Sequence, residues 1–262
     1  VNDKGSHSKV YNKNKVILLT GATTGIGATC AIQFARFSAK LAIVGDNREE
    51  LNNLVQQIVA NKGVQPVVIV SDLDHEDDLR RVIDETVDEY GRIDILINNA
   101  GTGISASLTD GLSPFDTVMK SSLRSVYGLT NFAIPHIIMS TGTIVNISSA
   151  ASTFPEPEYL PYSMAKAALD MFTKCLAKEF GVDGIRVNSV NPGPVKIVND
   201  IGFKEDEITM YYRKRVKDCP LGKIATNIDV ADLVLFLASD KSKSITGCVH
   251  FVDNGMLLGA MQ

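Results

Sequence analysis

The chain has 262 residues, 45% of them apolar and 21% charged, with a formal net charge of -4 at pH 7 and a pI of about 5.6. This is an ordinary globular balance, long enough for a large core in one α/β domain. It carries no basic excess to neutralise phosphates, so nucleic acid is not an expected partner. No apolar run approaches the roughly 18 residues needed to cross a bilayer.

The polar residues 1–14 lack the apolar run of a signal peptide and read as a flexible N-terminus. Gly5-Ser6-His7, after a non-Met start, reads as a tag remnant, and one domain is expected over 15–262. Cys30, Cys175, Cys219 and Cys248 are far apart with no C-x-x-C pair, which fits a reduced cytoplasmic protein better than a disulfide scaffold. His7, His75, His136 and His250 show no ligand spacing, so no metal is expected.

From residue 15 onward, strand-like and helix-like stretches alternate. Short runs at 16–19, 41–44, 67–70, 95–97, 144–147, 185–188 and 249–252 read as seven strands. Their apolar character suggests burial on both faces, as in a parallel sheet. Between them, Leu51, Leu54, Val55, Ile58 and Val59 recur with helical period, as do Leu79, Val82, Ile83, Val87 and Tyr90. Asn47 with Glu50 resembles a capping box. Longer helices are expected at about 112–139 and 159–182, and a helical lid at about 199–218 within a wider lid segment, 197–220. The expected fold is an α/β, Rossmann-type, doubly wound seven-stranded parallel sheet with helices on both faces.

The first strand runs into Thr20-Gly21-Ala22-Thr23-Thr24-Gly25-Ile26-Gly27 and then a helix. Gly21 would permit the tight turn, Gly25 would let backbone approach a pyrophosphate, and Gly27 would let helix pack close to strand. The helix N-terminus then offers free N–H groups to the anion. Thr23, Thr24 and Ile26 complete the expected cradle. After the second strand, Asp46 is placed to bind adenosine ribose hydroxyls and to repel a 2′-phosphate. That favours NAD(H). Arg48 nearby leaves NADP(H) open.

With these residues in order, the sequence resembles the short-chain dehydrogenase/reductase family in its compact form, from about Lys15 to Gly255. The motifs are Thr20-Gly-x-x-x-Gly-Ile-Gly27, Asp72-Leu73, Asn98-Asn99-Ala100-Gly101, Ser149, Tyr162-x-x-x-Lys166 and Asn191-Pro192-Gly193-Pro194-Val195. The resemblance implies that Asp72 and Leu73 flank the adenine. It places Asn98, Asn99, Ala100 and Gly101 beside the adenosine ribose and as braces of the sheet. Pro192, Gly193 and Val195 would border the nicotinamide.

Tyr162 and Lys166 are four apart and share a helix face. The Lys166 ammonium would stabilise a Tyr162 phenolate, making Tyr162 a base for alcohol oxidation or an acid for carbonyl reduction. By resemblance, Lys166 also binds the nicotinamide ribose. Ser149, thirteen residues before Tyr162 as in the family, would hold the substrate oxygen, and Ser148 reads as a strand-end hydroxyl. Pro155-Glu156-Pro157 is expected to border the pocket.

Two positions depart from the family pattern. Ser122 stands where the family usually has an Asn that helps hold a water chain from the catalytic Lys. A serine can contribute there only with a shorter reach, or it can bond its own helix backbone. Ile197 stands where a Thr often holds the nicotinamide carboxamide, and it cannot form that bond. Lid residues Ile201, Phe203, Met210, Tyr211 and Tyr212 suggest a small lipophilic alcohol or ketone as substrate. The expected activity is NAD(P)-dependent alcohol dehydrogenase or carbonyl reductase. A catalytically weak NAD(P)-binding regulatory protein is the alternative. An extended sugar-nucleotide epimerase is disfavoured by the glycine spacing. A homo-oligomer is implied, tetramer favoured over dimer, through the two long helices.

Overall fold

Strands that are apolar on both sides need helices on both sides, and the computed structural model shows that arrangement. It describes residues 14–23, 25–197 and 215–259. In chain order the elements are β1 (Val16–Thr20), α1 (Gly25–Ala35), β2 (Lys40–Gly45), α2 (Arg48–Ala60), β3 (Val67–Val70), α3 (Glu76–Tyr90), β4 (Ile95–Asn98), α4 (Leu112–Met119) and α5 (Ser125–Ser140). They continue with β5 (Thr143–Ile147), α6 (Leu160–Phe180), β6 (Arg186–Pro192), β7 (Val195–Lys196), β8 (Ala225–Thr226), α7 (Asn227–Ala238) and β9 (Val249–Val252).

Seven strands form one sheet in the order β3-β2-β1-β4-β5-β6-β9, every pair parallel. Alternation along each strand divides the core in two. Ile17 and Leu19 of β1 face α1, α2 and α7 with Phe34, Leu54 and Val234. Leu18 faces α3, α5 and α6 with Val82, Leu129 and Leu176. The helix ends carry local signals. Asn47 caps α2 by accepting from Glu49 and Glu50 N–H groups, Pro161 occupies the first turn of α6, and Gly91 ends α3 at φ +74°.

Several sequence expectations are corrected. The helix expected over 112–139 is interrupted by a π-helical turn at Lys120–Arg124, where the Ser125 N–H reaches the Lys120 carbonyl. The strand expected at 185–188 instead runs Arg186–Pro192. It is not fully apolar: Asn188, Ser189 and Asn191 are buried in it. Each has a partner, such as the Ile245 carbonyl for Asn188 at 2.9 Å, which removes the cost of burying an amide. A small second sheet, β7 with β8, was not expected. The helical lid at 199–218 lies outside the described residues up to position 214.

Candidate active site

The site forms at the carboxyl ends of β1, β4, β5 and β6. At β1 the chain makes a tight turn with Gly21 at φ +62°, where an added Cβ would lie 2.9 Å from the Ala100 backbone. At Gly27 a Cβ would lie 2.0 Å from the Gly21 carbonyl oxygen, so only glycine lets α1 start this close to the turn. Gly25, at φ +59°, is different. The nearest atom to an added Cβ is Ile197 Cδ1 at 3.5 Å, leaving an open concavity over the start of α1. No acidic residue stands in the first turn of α1, so the cradle fits an anionic diphosphate. Thr23 lies against the end of β2, where a Cβ on Gly45 would meet its Cγ2 at 2.5 Å. Ile26 packs on the core. Thr24 lies outside the described residues.

The turn is braced from β4. Asn99 Nδ2 donates to the Gly21 carbonyl at 2.8 Å and the Thr20 carbonyl at 3.2 Å. The N–H groups of Asn99 and Ala100 both donate to Thr20 Oγ1 at 3.1 Å. Asn98 points the other way. Its Nδ2 reaches Asn146 Oδ1 at 2.9 Å and Thr130 Oγ1 at 3.1 Å, while Asn146 continues to Thr173 at 2.9 Å. Neighbouring asparagines thus have separate tasks: one ties sheet to helices, the other holds the glycine turn. Asp46 is exposed at the end of β2. Asp72 is also exposed and accepts from the Asp74 N–H at 3.0 Å, while Leu73 packs against the core.

Ser149 follows β5 in extended backbone, and its Oγ accepts from the Ala151 N–H at 3.1 Å. Ser148 is buried and bonds the Lys166 carbonyl at 3.1 Å. Of the two serines, only Ser149 lines the cavity of about 290 Å³ shared with Tyr162, Gly103, Glu156, Tyr159, Met256 and Pro192 to Pro194. Tyr162 is half-buried on α6. Lys166 is 4% exposed; its Nζ donates to the Ile147 carbonyl at 2.8 Å and lies 5.4 Å from the centre of the Tyr162 ring. Burial pushes the Lys166 pKa down to about 8, opposed by the charge of Asp170.

Ser122, in the π-helical turn, is fully buried and does not bond its own helix. It exchanges two hydrogen bonds with the Thr102 backbone. Gly101 sits between it and Lys166: a Cβ there would be 3.1 Å from Ser122 Oγ and 3.6 Å from Lys166 Nζ. Pro192 pairs with Val252, and Gly193 accepts no Cβ because Asp253 is 2.9 Å away. Val195 begins β7 and Ile197 overlies Gly25. Gly103, Tyr159 and Met256 line the cavity without any sequence signal; Glu156 was signalled by its flanking prolines. Glu156 is held by Arg215 Nη2 at 2.7 and 2.8 Å. Among the described residues no His, Cys, Asp or Glu group could hold a metal, and no helix is long and apolar enough to cross a membrane.

A parallel sheet in this order, with a glycine turn opening the first helix at the strand ends, defines a Rossmann-type dinucleotide fold. The chain belongs to the short-chain dehydrogenase/reductase family and is an oxidoreductase of that family, whose members use NAD(P)(H) and act on small molecules. The family model described as enoyl-(acyl carrier protein) reductase matches residues 21–257. A 3-oxoacyl-(acyl-carrier-protein) reductase of Thermotoga maritima is 34% identical over 94% of this chain and 99% of its own length. A glucose 1-dehydrogenase of Gluconobacter oxydans is 32% identical over 93% and 92%. Among solved structures, a cofactor-bound short-chain dehydrogenase/reductase of unknown function from Caenorhabditis elegans superposes with a TM-score of 0.88 at 34% identity, covering 94% of this chain and 96% of that one. A glucose dehydrogenase from the same organism, in its apo form, gives 0.82 at 35%, covering 94% and 99%.

Proposed function

We propose that this chain moves a hydride between NAD(H) and a small, mainly apolar secondary alcohol or ketone. Tyr162 is the general acid/base, Lys166 its cationic partner, and Ser149 the group that orients the substrate oxygen. The observation that carries this reading is that Ser149 and Tyr162 share one cavity while the Lys166 ammonium is buried behind the Tyr162 ring.

The nicotinamide, when bound, supplies or accepts the hydride. The protein's part is orientation and charge. Ser149 Oγ and the Tyr162 hydroxyl hold one substrate oxygen between them, which fixes the reacting carbon. Tyr162 gives its proton to the developing alkoxide in reduction and removes it in oxidation. Lys166 stabilises the phenolate left behind from its buried position. Gly21, Thr23, Gly25, Ile26 and Gly27 cradle the diphosphate. Asp46 holds the adenosine ribose hydroxyls, and Asp72 with Leu73 flank the adenine. Asn99, Ala100 and Gly101 line the ribose side, with Asn98 bracing the sheet behind them, and Pro192, Gly193 and Val195 line the nicotinamide side. Tyr162 and Lys166 also hold the nicotinamide ribose.

Ala150, Ala151, Pro194 and Met256 give the cavity an apolar wall, which supports a carbon-rich substrate. Two relatives are named a 3-oxoacyl-(acyl-carrier-protein) reductase and a glucose 1-dehydrogenase, a carbonyl reduction and an alcohol oxidation respectively. The protein is further read as cytoplasmic and as a homotetramer; exposed apolar residues on α5 and α6 support the oligomer. The catalytically weak alternative draws on one observation: the single proton of Ser122 is committed to Thr102.

The test is turnover of wild type and Tyr162→Phe with a panel of secondary alcohols and ketones, NAD and NADP forms in parallel. Wild-type turnover with NAD that falls at least ~100-fold in Tyr162→Phe is expected. Tight cofactor binding without turnover of any panel member would transfer the case to the regulatory reading.

A further inference from the structure

Lys166 carries its charge in a costly place. It is 4% exposed and donates to a single described acceptor, the Ile147 carbonyl. Asp170 stands one helical turn further along α6, so Tyr162, Lys166 and Asp170 lie on one face. Asp170 is buried as well, at 7% exposure.

Both Asp170 oxygens meet β6, where Ser189 has a single proton to divide between Asp170 Oδ1 and Asn191 Oδ1. Ser189 Oγ is 3.0 Å from Oδ1, and Asn191 Nδ2 donates to Oδ2 at 2.8 Å. The same Asn191 nitrogen reaches the Ser149 carbonyl at 3.0 Å and Ser152 Oγ at 2.9 Å. A continuous chain of contacts thus leads from α6 through β6 to the backbone of Ser149. Neutral groups could have made this bridge: Ser189 already contacts Asn191 Oδ1 at 2.5 Å. A buried carboxylate is costly unless an opposite charge compensates it. Among the described residues, Asp170 is the charged group that acts on Lys166. The other side chains facing this place are neutral: Ser122 from the π-helical turn, Ser189 and Asn191 from β6, and Tyr162, titratable only as a phenol, from α6 itself.

We propose that Asp170 is a positioning residue of this site. Its buried carboxylate keeps the Lys166 ammonium charged where water is excluded, and through Asn191 it fixes the backbone from which Ser149 projects. The proposal rests on the reading of Ser149, Tyr162 and Lys166 as the reacting groups. It adds a fourth residue outside the motif and gives the pair a division of labour: Asp170 sets charge, Asn191 sets geometry.

The decisive experiment titrates Lys166 directly in the intact protein, following its Cε resonance in lysine-labelled samples, with the signal assigned by Lys166→Met. Wild type should titrate near about 8, and Asp170→Asn clearly below it. Ser189→Ala removes a hydrogen bond but no charge, and should leave the midpoint in place. Where a substrate is turned over, the alkaline limb of kcat/KM should move to lower pH in Asp170→Asn. In Asn191→Ala it should stay in place while kcat falls roughly 10-fold. Should Asp170→Asn fail to fold, Asp170→Leu gives the same reading, because its former donors retain Ser149 O, Ser152 Oγ and Asn191 Oδ1 as acceptors. An unchanged Lys166 midpoint in either folded variant overturns the proposal, whatever the turnover. A lowered midpoint in a protein that turns nothing over supports the charge role and counts against the hydride-transfer reading instead.

Discussion

Ser122 Oγ accepts the Thr102 N–H at 3.0 Å and returns its own proton to the Thr102 carbonyl at 3.1 Å. The hydroxyl has then no proton left for a water chain from Lys166; it can only accept. Its visible task is to pin the loop after β4 to the π-helical turn. Ser122→Ala should therefore destabilise the fold by about 1 kcal/mol, the net worth of such bonds. It should also lower kcat only a few-fold. Urea denaturation with steady-state kinetics checks both. A loss of kcat above 100-fold at normal stability would give Ser122 a direct part in proton transfer.

The glycine turn makes a graded prediction. Gly27→Ala drives a Cβ to 2.0 Å from the Gly21 carbonyl, so α1 must move; a loss of ~3 kcal/mol and of measurable NADH binding is expected. Gly91→Ala, at φ +74° with nothing within 4 Å, should lose about 1 kcal/mol and bind NADH normally. Denaturation curves and fluorescence titration separate the two.

Lys166 links activity and stability to pH with opposite signs. Its folded pKa, about 8, is below the ordinary 10.5 because burial disfavours the cation. The ammonium is lost as pH rises through about 8, so kcat/KM should fall on the alkaline side. In the same range the unfolded chain binds more protons than the folded one, so the Lys166 contribution to stability grows as pH rises from about 8 to 10.5. It is fully present above 10.5 and lost as pH falls through about 8. Lys166→Met should lack this slope in denaturation measured across the window.

Glu156 lines the cavity and is gripped by Arg215, with both side chains less than one-fifth exposed. The pair joins the loop before α6 to the segment after residue 214. Glu156→Gln should loosen that wall and raise KM roughly 10-fold with kcat nearly unchanged, the pattern of lost uniform binding. A kcat loss instead would place Glu156 in the chemical step.

The outer faces of α5 and α6 expose Tyr127, Met139, Met164 and Met171, with the Tyr127 ring tilted against Phe172 at 5.5 Å between centroids. Exposed apolar residues on these two helices support the proposed oligomer interface. Met171→Asp should convert the proposed tetramer to a smaller species in light scattering, because a buried unpaired carboxylate is costly there. A wild-type monomer would remove the oligomer reading.

The strands were legible wherever burial on both faces demands an unbroken apolar run, as in β1 and the Leu41–Val44 stretch of β2. β6 was read too short, ending at Asn188, because Ser189 and Asn191 look like loop residues until their partners on other elements are known. The glycine turn was legible because each glycine answers a local steric need. The π-helical turn was not: Lys120-Ser121-Ser122-Leu123-Arg124 contains no Pro or Gly to announce it. Tyr162, Lys166 and Ser149 were singled out by their spacings, and the fold brings Ser149 and Tyr162 to one cavity with Lys166 beside the Tyr162 ring. Asp170 lies one step further along the same helical face, yet on sequence alone an Asp there reads as solvent-facing, and only the fold reveals that it is enclosed.

The strand order has a consequence for synthesis. β1 lies between β2 and β4, so Ile17 must wait for Ile95, and the last neighbour of β6 is β9 near the end of the described chain. A nascent chain therefore leaves the ribosome with a hydrophobic strand edge open for much of translation. Half-made molecules, rather than finished ones, are the population most prone to aggregate, and slower elongation after β4 would give β1 time to find its second partner.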